Sequence, residues 1–156
     1  MAIAQLDNLD IKILKKLSSD ARKPYLEIAR ECSVSGAAIH QRIDKLCKTD
    51  VIQGSETLIS PQSVGLDTCA YIGLFLKDPS KYTEVIEELK KIPEVVEIYI
   101  TTGEYDIFVK IYAKTNVDLM SLIHGKFQGL GLSRSETLIV FKEVMKRQIP
   151  ISDLED

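Results

Sequence analysis

The stretch from Ser35 to Lys45 combines small residues with hydrogen-bonding side chains. It reads SGAAIHQRIDK, and serine is a preferred residue at helix N-termini. Gln41 could make a bidentate pair of hydrogen bonds with an adenine edge, and His40 could donate or accept one. Backbone N–H groups at the start of such a helix can bind a phosphate. These residue types suit a helix that enters the major groove of DNA.

A solvated helix with an ordinary serine cap is the alternative interpretation of this stretch. Asp44 supports it, because an outward carboxylate would repel phosphate.

Arg22, Lys23 and Lys48 are further candidates for phosphate contacts. The residues that we predict to contact DNA are Ser35, Gly36, Ala37, His40, Gln41, Arg42 and Lys45.

Three helices are predicted to position this surface. The first begins after Asp7 and the second covers Tyr25 to Glu31, directly after a proline. The third begins after Ser35, ends near Thr49 and buries a stripe of isoleucine and leucine side chains. Because the tight turn CSVS joins the last two helices, the segment is predicted to be a helix-turn-helix unit.

The chain from residue 67 onward alternates strand and helix patterns. TCAYIGLFLK, VVEIYITT, YDIFVKIYAK and SETLIVFKEVMK read as strands, and two amphipathic helices are predicted, with Ser80 and Asn116 as their N-caps. The order βαββαβ predicts a ferredoxin-like domain, so the fold class is α+β. Helices on one sheet face leave the other open, and an open apolar face predicts a homodimer.

Breaks in the pattern divide the chain. We predict a helix-turn-helix domain over residues 1–52, which is winged-helix-like, and a ferredoxin-like domain over residues 67–156. VIQGSETLIS, followed by Pro61 and Gly65, is predicted to be an extended connector or short strand within a linker over residues 53–66.

The composition is that of an ordinary globular protein. The 156 residues are 45% hydrophobic and 28% charged, with a net charge of -3. Residues 1–52 carry a net charge of +2 and the remainder -5, so the acidic balance does not argue against a DNA-binding first domain. Three unpaired cysteines and no signal-peptide or membrane-spanning pattern predict a cytoplasmic protein, with no metal site.

The stretch TGEYD at residues 102–106 could bind a zwitterion. Gly103 could adopt the positive φ of a tight hairpin, and Asp106 could accept hydrogen bonds from an ammonium group. Backbone N–H groups near Gly103 could bind a carboxylate, and Thr101 and Thr102 could line the pocket. A plain hairpin turn, with Tyr105 packed on its neighbours, is the alternative.

Several phrases together resemble the Lrp/AsnC family of transcription regulators. They are LDNLDIKILKKLSSDAR, LEIAREC, VSGAAIHQRIDKL and DVIQG in the first half and TGEYD in the second. The resemblance implies a DNA-binding protein that dimerises through its ferredoxin-like domain, often forms octamers, and associates with the nucleoid. It also implies an amino-acid effector, bound at an oligomer interface. The ligand-binding residues are then predicted to be Thr102, Gly103, Tyr105 and Asp106.

Two other functions are alternatives to that of a ligand-responsive regulator. A ligand-independent architectural DNA-binding protein would share the first domain and differ only at TGEYD. An enzyme would need a nucleophile or an acid/base cluster, and the sequence offers no catalytic residues, no GxxxxGKS loop and no HExxH pattern. We therefore predict a non-enzymatic DNA-binding regulator.

Overall fold

The chain forms two compact units. The computed structural model describes residues 5–151. Within them, the helical unit comprises residues 5–57 and 145–151, and the sheet unit comprises Leu58–Val144. In the described residues no helix is long and apolar enough to cross a membrane.

The helical unit contains three helices and, among its described residues, no strand. Asp7 caps the first helix by accepting hydrogen bonds from two backbone N–H groups, and Asp10 completes the capping box. Ser33 adopts the left-handed conformation, with φ of 56°, and this ends the second helix and starts the turn. The helices are α1 (Asn8–Ser19), α2 (Tyr25–Cys32) and α3 (Gly36–Lys48).

The core of the helical unit is built from the apolar faces of these helices. Ile13, Ile28, Ile39 and Leu46 are fully buried at its centre. Ile151 packs against the same core, although more than 100 residues separate it from α3 in the sequence. The predicted helix-turn-helix is confirmed, and it includes a contact from the far end of the chain.

The sheet unit is a four-stranded antiparallel sheet with two helices, in the order βαββαβ. The strands lie in the spatial order β2-β3-β1-β4, so β1 pairs with both β3 and β4. The predicted ferredoxin-like arrangement is confirmed. Its elements are β1 (Thr68–Leu76), α4 (Tyr82–Lys90), β2 (Val95–Ile100), β3 (Ile107–Ala113), α5 (Asn116–Leu122) and β4 (Leu132–Ile139).

The two faces of this sheet differ in chemistry. Alternate residues of β1 and β3 are buried with the helices, as Ile72, Leu74 and Ile111 illustrate. The other face carries aromatic rings and a few charges, and we call it the open sheet face. Its central residues are Tyr71, Gly73, Phe75, Tyr105, Phe108, Lys110 and Tyr112.

Some predicted boundaries were wrong. Asp78, not Ser80, caps the chain before α4, because Pro79 starts a 3-10 turn that leads into the helix. Thr115, not Asn116, caps α5, and a π-helical turn at Ile123–Phe127 continues it. Residues 53–60 form no strand within this chain, so of the two predicted alternatives, an extended connector or a short strand, the strand is wrong.

Candidate functional sites

The start of α3 is held in place by two local contacts. The hydroxyl of Ser35 accepts a hydrogen bond from the backbone N–H of Ala38 at 3.1 Å, which makes Ser35 the predicted N-cap. A Cβ atom at Gly36 would lie 2.9 Å from the Leu26 side chain, so glycine permits close packing of α3 on α2. Ala37 is exposed. The small residues therefore serve packing as well as leaving the helix start accessible.

His40 and Gln41 lie on the solvent side of α3. Both are exposed, and the His40 ring meets Tyr25 edge-on, with 4.9 Å between ring centroids. Gln41 lines a shallow surface groove of about 420 Å³, together with Asp44, Lys45, Lys48 and Thr49. The two predicted base-reading side chains are thus accessible and point away from the core formed by Ile39 and its neighbours.

Arg42 and Lys45 are engaged in contacts that sequence spacing did not reveal. Arg42 Nη1 pairs with Asp7 and lies 3.1 Å from Asp10 Oδ1. Lys45 Nζ lies 3.3 Å from Asp10 Oδ2. We call these four residues the α1–α3 charge cluster. It joins the first turn of α1 to the middle of α3, because it pairs residues 32 and 35 positions apart.

The stability of the helical unit should depend on the ionisation of Asp7. The Asp10 backbone N–H and then the Arg42 guanidinium lower the pKa of Asp7 below its ordinary value of 3.8. Because the folded pKa is depressed, the stabilisation is fully present above the unfolded pKa and is lost as pH falls through the folded pKa. Urea unfolding of Asp7→Asn should show a weaker acid dependence below about pH 4, since asparagine still caps the helix. An unchanged acid profile would contradict this assignment.

The loop over residues 101–106 connects β2 to β3, and Tyr105 folds back over the open sheet face. Its ring stacks on Phe108 at a centroid distance of 5.6 Å and meets Phe75 edge-on at 5.3 Å. Its hydroxyl donates a hydrogen bond to Glu136 Oε2 at 2.8 Å, and this contact raises the pKa of the phenol. Tyr105 therefore packs on its neighbours, as the plain-hairpin interpretation expected for this residue.

Asp106 also makes a structural contact within the chain. Its Oδ2 accepts a hydrogen bond from the Leu76 backbone N–H at 2.8 Å, and its own N–H donates to the Leu74 carbonyl at 3.0 Å. Thr102 and Gly103 are exposed at the tip of the loop. The expected positive φ of Gly103 is wrong, because the six-residue loop is long enough to turn without it.

The hydrogen bond from Leu76 to Asp106 provides a test of that structural role. Asp106→Ala should lower the free energy of unfolding by about 1–3 kcal/mol, because it leaves a partly buried N–H without its acceptor. Asp106→Asn should cost less, because its amide oxygen can still accept. Urea denaturation of both variants measures the difference. Equal losses in the two variants would show that charge, rather than the acceptor, matters at this position.

Another groove of the sheet unit is lined by residues outside this loop. It has a volume of about 710 Å³, and its walls are the start of α4 and the segment 129–131. None of the four predicted ligand-binding residues lines it. Within the described residues, no group of three His, Cys, Asp or Glu side chains could hold a metal ion.

Two family models match the chain along most of its length. The AsnC-type helix-turn-helix domain matches residues 6–46, and the Lrp/AsnC ligand binding domain matches residues 69–150. The chain belongs to the Lrp/AsnC family. The matches show a transcriptional regulator with a DNA-binding helix-turn-helix and a ligand-binding domain, and they bear out the resemblance drawn from the sequence.

Individual proteins are similar to this chain over nearly their whole length. The regulatory protein AsnC of Haemophilus influenzae is 39% identical over 145 residues, which cover 92% of this chain and 97% of that protein. The structure of Escherichia coli AsnC has a TM-score of 0.88 and 35% identity, covering 94% and 99% of the two chains. A Neisseria meningitidis regulator in complex with L-Met, 24% identical, shares the fold with a TM-score of 0.89 over 96% and 99% of the two chains.

Proposed function

We propose that this Lrp/AsnC regulator reads double-stranded DNA with the exposed side of α3. His40 and Gln41 would contact base edges, and the backbone at Ser35, Gly36 and Ala37 would approach a phosphate. The observation that carries the proposal is the exposure of both His40 and Gln41 on a helix that begins with a serine cap and small residues. Arg42 and Lys45 would approach the DNA from the same helix.

The proposed effector is an amino acid bound near the loop at residues 101–106. A zwitterion would use backbone groups around Thr102 and Gly103, which are exposed. Tyr105 and Asp106 would shape the site through their packing, since both already have partners within the chain. Ligand sites bury most of their ligand, whereas this loop is open, so a neighbouring subunit would supply the missing walls. The L-Met complex of the Neisseria meningitidis regulator supports an amino acid as effector.

The proposed assembly is a homodimer formed through the open sheet face, with an octamer as the larger form. The support is the aromatic character of this face, where Tyr71 stacks on Phe108 at 5.5 Å. We propose that the protein acts by binding rather than by catalysis, in the cytoplasm and in association with the nucleoid. We also propose domain boundaries at residues 1–52 and 67–156, with a linker between them.

A ligand-independent architectural role is a second candidate. The observation in its favour is that the carboxylate of Asp106 and the hydroxyl of Tyr105 are already hydrogen-bonded within the chain. Calorimetry with a panel of amino acids separates the two functions. Heat of binding from at least one amino acid supports the sensor, and binding of none supports the architectural role.

The DNA-binding proposal is tested by gel shift with DNA from upstream of the protein's own gene. We expect a sequence-selective shift that weakens as salt rises, because phosphate contacts release counterions. Gln41→Ala should lower the affinity for that DNA about tenfold and leave binding to random-sequence DNA unchanged, because base contacts carry the sequence information. Absence of a selective shift under every effector condition would refute the proposal.

A further inference from the structure

The α1–α3 charge cluster places a fully buried carboxylate behind two cations of the proposed DNA-reading helix. Asp10 has no exposed surface, whereas the Arg42 and Lys45 side chains are 33% and 48% exposed. Each carboxylate oxygen of Asp10 faces one of the two cations, at 3.1 Å and 3.3 Å. Oδ2 also accepts the backbone N–H of Asp7 at 3.3 Å, so the carboxylate is tied to the start of α1.

Separating the buried Asp10 carboxylate from Arg42 and Lys45 would be energetically costly. An ionised group that is removed from water requires compensating charges and hydrogen bonds, and its isolation is strongly unfavourable. Arg42 and Lys45 are therefore held at fixed positions on α3. Asp7 and Asp10 also balance their charge, so the four-residue cluster is neutral as a whole.

The charge cluster also orients the N–H donors of Arg42 and Lys45 that do not contact a carboxylate. A guanidinium has five N–H donors, and in the described part of the chain the carboxylate contacts of Arg42 use only Nη1. The exposed parts of Arg42 and Lys45 can therefore donate to a partner while each keeps its bond to Asp10. Donors that a neutral cluster holds in one orientation favour the recognition of particular DNA groups by their geometry. Cations without such partners bind any phosphate equally well.

We infer that Asp10 is a positioning residue for DNA recognition, which holds Arg42 and Lys45 so that they discriminate between sequences instead of adding sequence-independent attraction. The inference rests on the proposed DNA-binding function and assigns a role to a residue that does not itself touch DNA.

The test compares Asp10→Asn with the unaltered protein on two duplexes of equal length, one from upstream of its own gene and one scrambled. Fluorescence anisotropy between about 50 and 200 mM salt gives both affinities and their salt dependence. In Asp10→Asn, Arg42 and Lys45 lose their carboxylate partner. This should weaken binding to the upstream duplex and strengthen binding to the scrambled duplex. The ratio of the affinity for the first duplex to that for the second should fall about tenfold. This is the change expected when one base contact no longer discriminates between bases.

The salt dependence provides a readout that simple loss of structure would not produce. Each cation freed to neutralise a phosphate should steepen the slope of log K against log salt by about 0.9. A merely structural role for Asp10 predicts that both duplexes lose affinity together, with an unchanged or shallower slope. That outcome would overturn the inference.

Asp44→Asn is the matched control. Asp44 is exposed on the same helix and makes no ion pair among the described residues, so its substitution adds the same charge without freeing a cation. Both duplexes should then gain affinity equally, with the ratio and the slope unchanged. If Asp10→Asn behaves like Asp44→Asn, only net charge matters and the inference fails.

A second variant keeps the inference testable if Asp10→Asn does not fold. Asp7→Asn preserves the helix cap and removes one carboxylate from Arg42, so it should produce the same changes in smaller measure. An unchanged ratio in a folded Asp7→Asn protein would then count against the inference. Equal binding of the unaltered protein to both duplexes would instead refute the proposed function, which separates the two failures.

Discussion

Gly73→Ala is expected to displace Tyr105 from the open sheet face and to destabilise the sheet unit. A Cβ atom at position 73 would lie 2.3 Å from the Tyr105 ring, so the ring has to move. Overpacking of this kind costs about 1–3 kcal/mol, which exceeds the roughly 0.5–1 kcal/mol that alanine gains over glycine in a regular element. Urea denaturation measures the loss, and calorimetry should show weaker binding of the proposed amino-acid effector because the loop at residues 101–106 moves with Tyr105.

Gly103→Ala is the control for this prediction. Gly103 lies in the same loop region, but a Cβ atom there would meet nothing within 4 Å, and its φ is not positive. Alanine at this position should leave stability unchanged or raise it by roughly 0.4–1 kcal/mol. In a Tyr105→Ala background, Gly73→Ala should lose its penalty. A penalty that persists without the Tyr105 ring would show that the assigned contact is not the cause.

Phe108→Glu is expected to dissociate the proposed dimer. Phe108 stacks on both Tyr71 and Tyr105, so it lies at the centre of the aromatic surface. A carboxylate at the centre of an interface loses apolar contact and is costly to desolvate, and central aromatic residues contribute about 2 kcal/mol or more. The dimer dissociation constant should rise about 30-fold or more. Sedimentation velocity over a concentration series measures the change.

Tyr82→Glu serves as the control for the dimer prediction. Tyr82 is the first residue of α4 and is 46% exposed, and α4 packs on the opposite side of the sheet. The same change of charge there should leave the association unchanged. If Phe108→Glu sediments like the unaltered protein while remaining folded, the open sheet face is not the subunit interface.

Lys110 is a buried charge on the open sheet face, and the apolar character of that face does not explain it. Lys110 is only 5% exposed, lies near the rings of Tyr71 and Tyr112, and pairs with Glu97 at 3.4 Å. Burial opposes its charge, but the Glu97 carboxylate and the neighbouring tyrosine oxygens outweigh burial and raise its pKa. Lys110 is therefore charged at neutral pH. A second subunit that covers this face would have to accommodate the paired charge.

The sequence was sufficient to predict elements whose causes are local. Ser35 as a cap and the apolar stripe from Ile39 to Leu46 locate α3 within one residue of its observed end at Lys48. The order βαββαβ along the chain follows from the strand and helix patterns of the sequence. The predicted caps lay one or two residues after the observed caps at Asp78 and Thr115. Several neighbouring side chains can cap a helix, and only the backbone conformation decides between them.

The contacts that define the candidate sites depend on strand register and helix packing. Gly73 meets Tyr105 because β1 and β3 pair with Gly73 opposite Phe108. Arg42 was predicted as a DNA contact on the basis of its helix alone, without knowledge that Asp7 and Asp10 would face it. Spacing within one element cannot reveal such partners, because they come from distant parts of the chain.

The packing of Ile151 on the helical core has a consequence for synthesis on the ribosome. Residues 5–57 emerge before the sheet unit, yet one of their core contacts is made by a residue that follows the entire sheet unit. The DNA-binding unit can therefore begin to fold early but gains its last apolar contact only after the ligand-binding unit has been translated. A nascent chain should accordingly be slower to acquire full DNA-binding competence than its N-terminal position suggests.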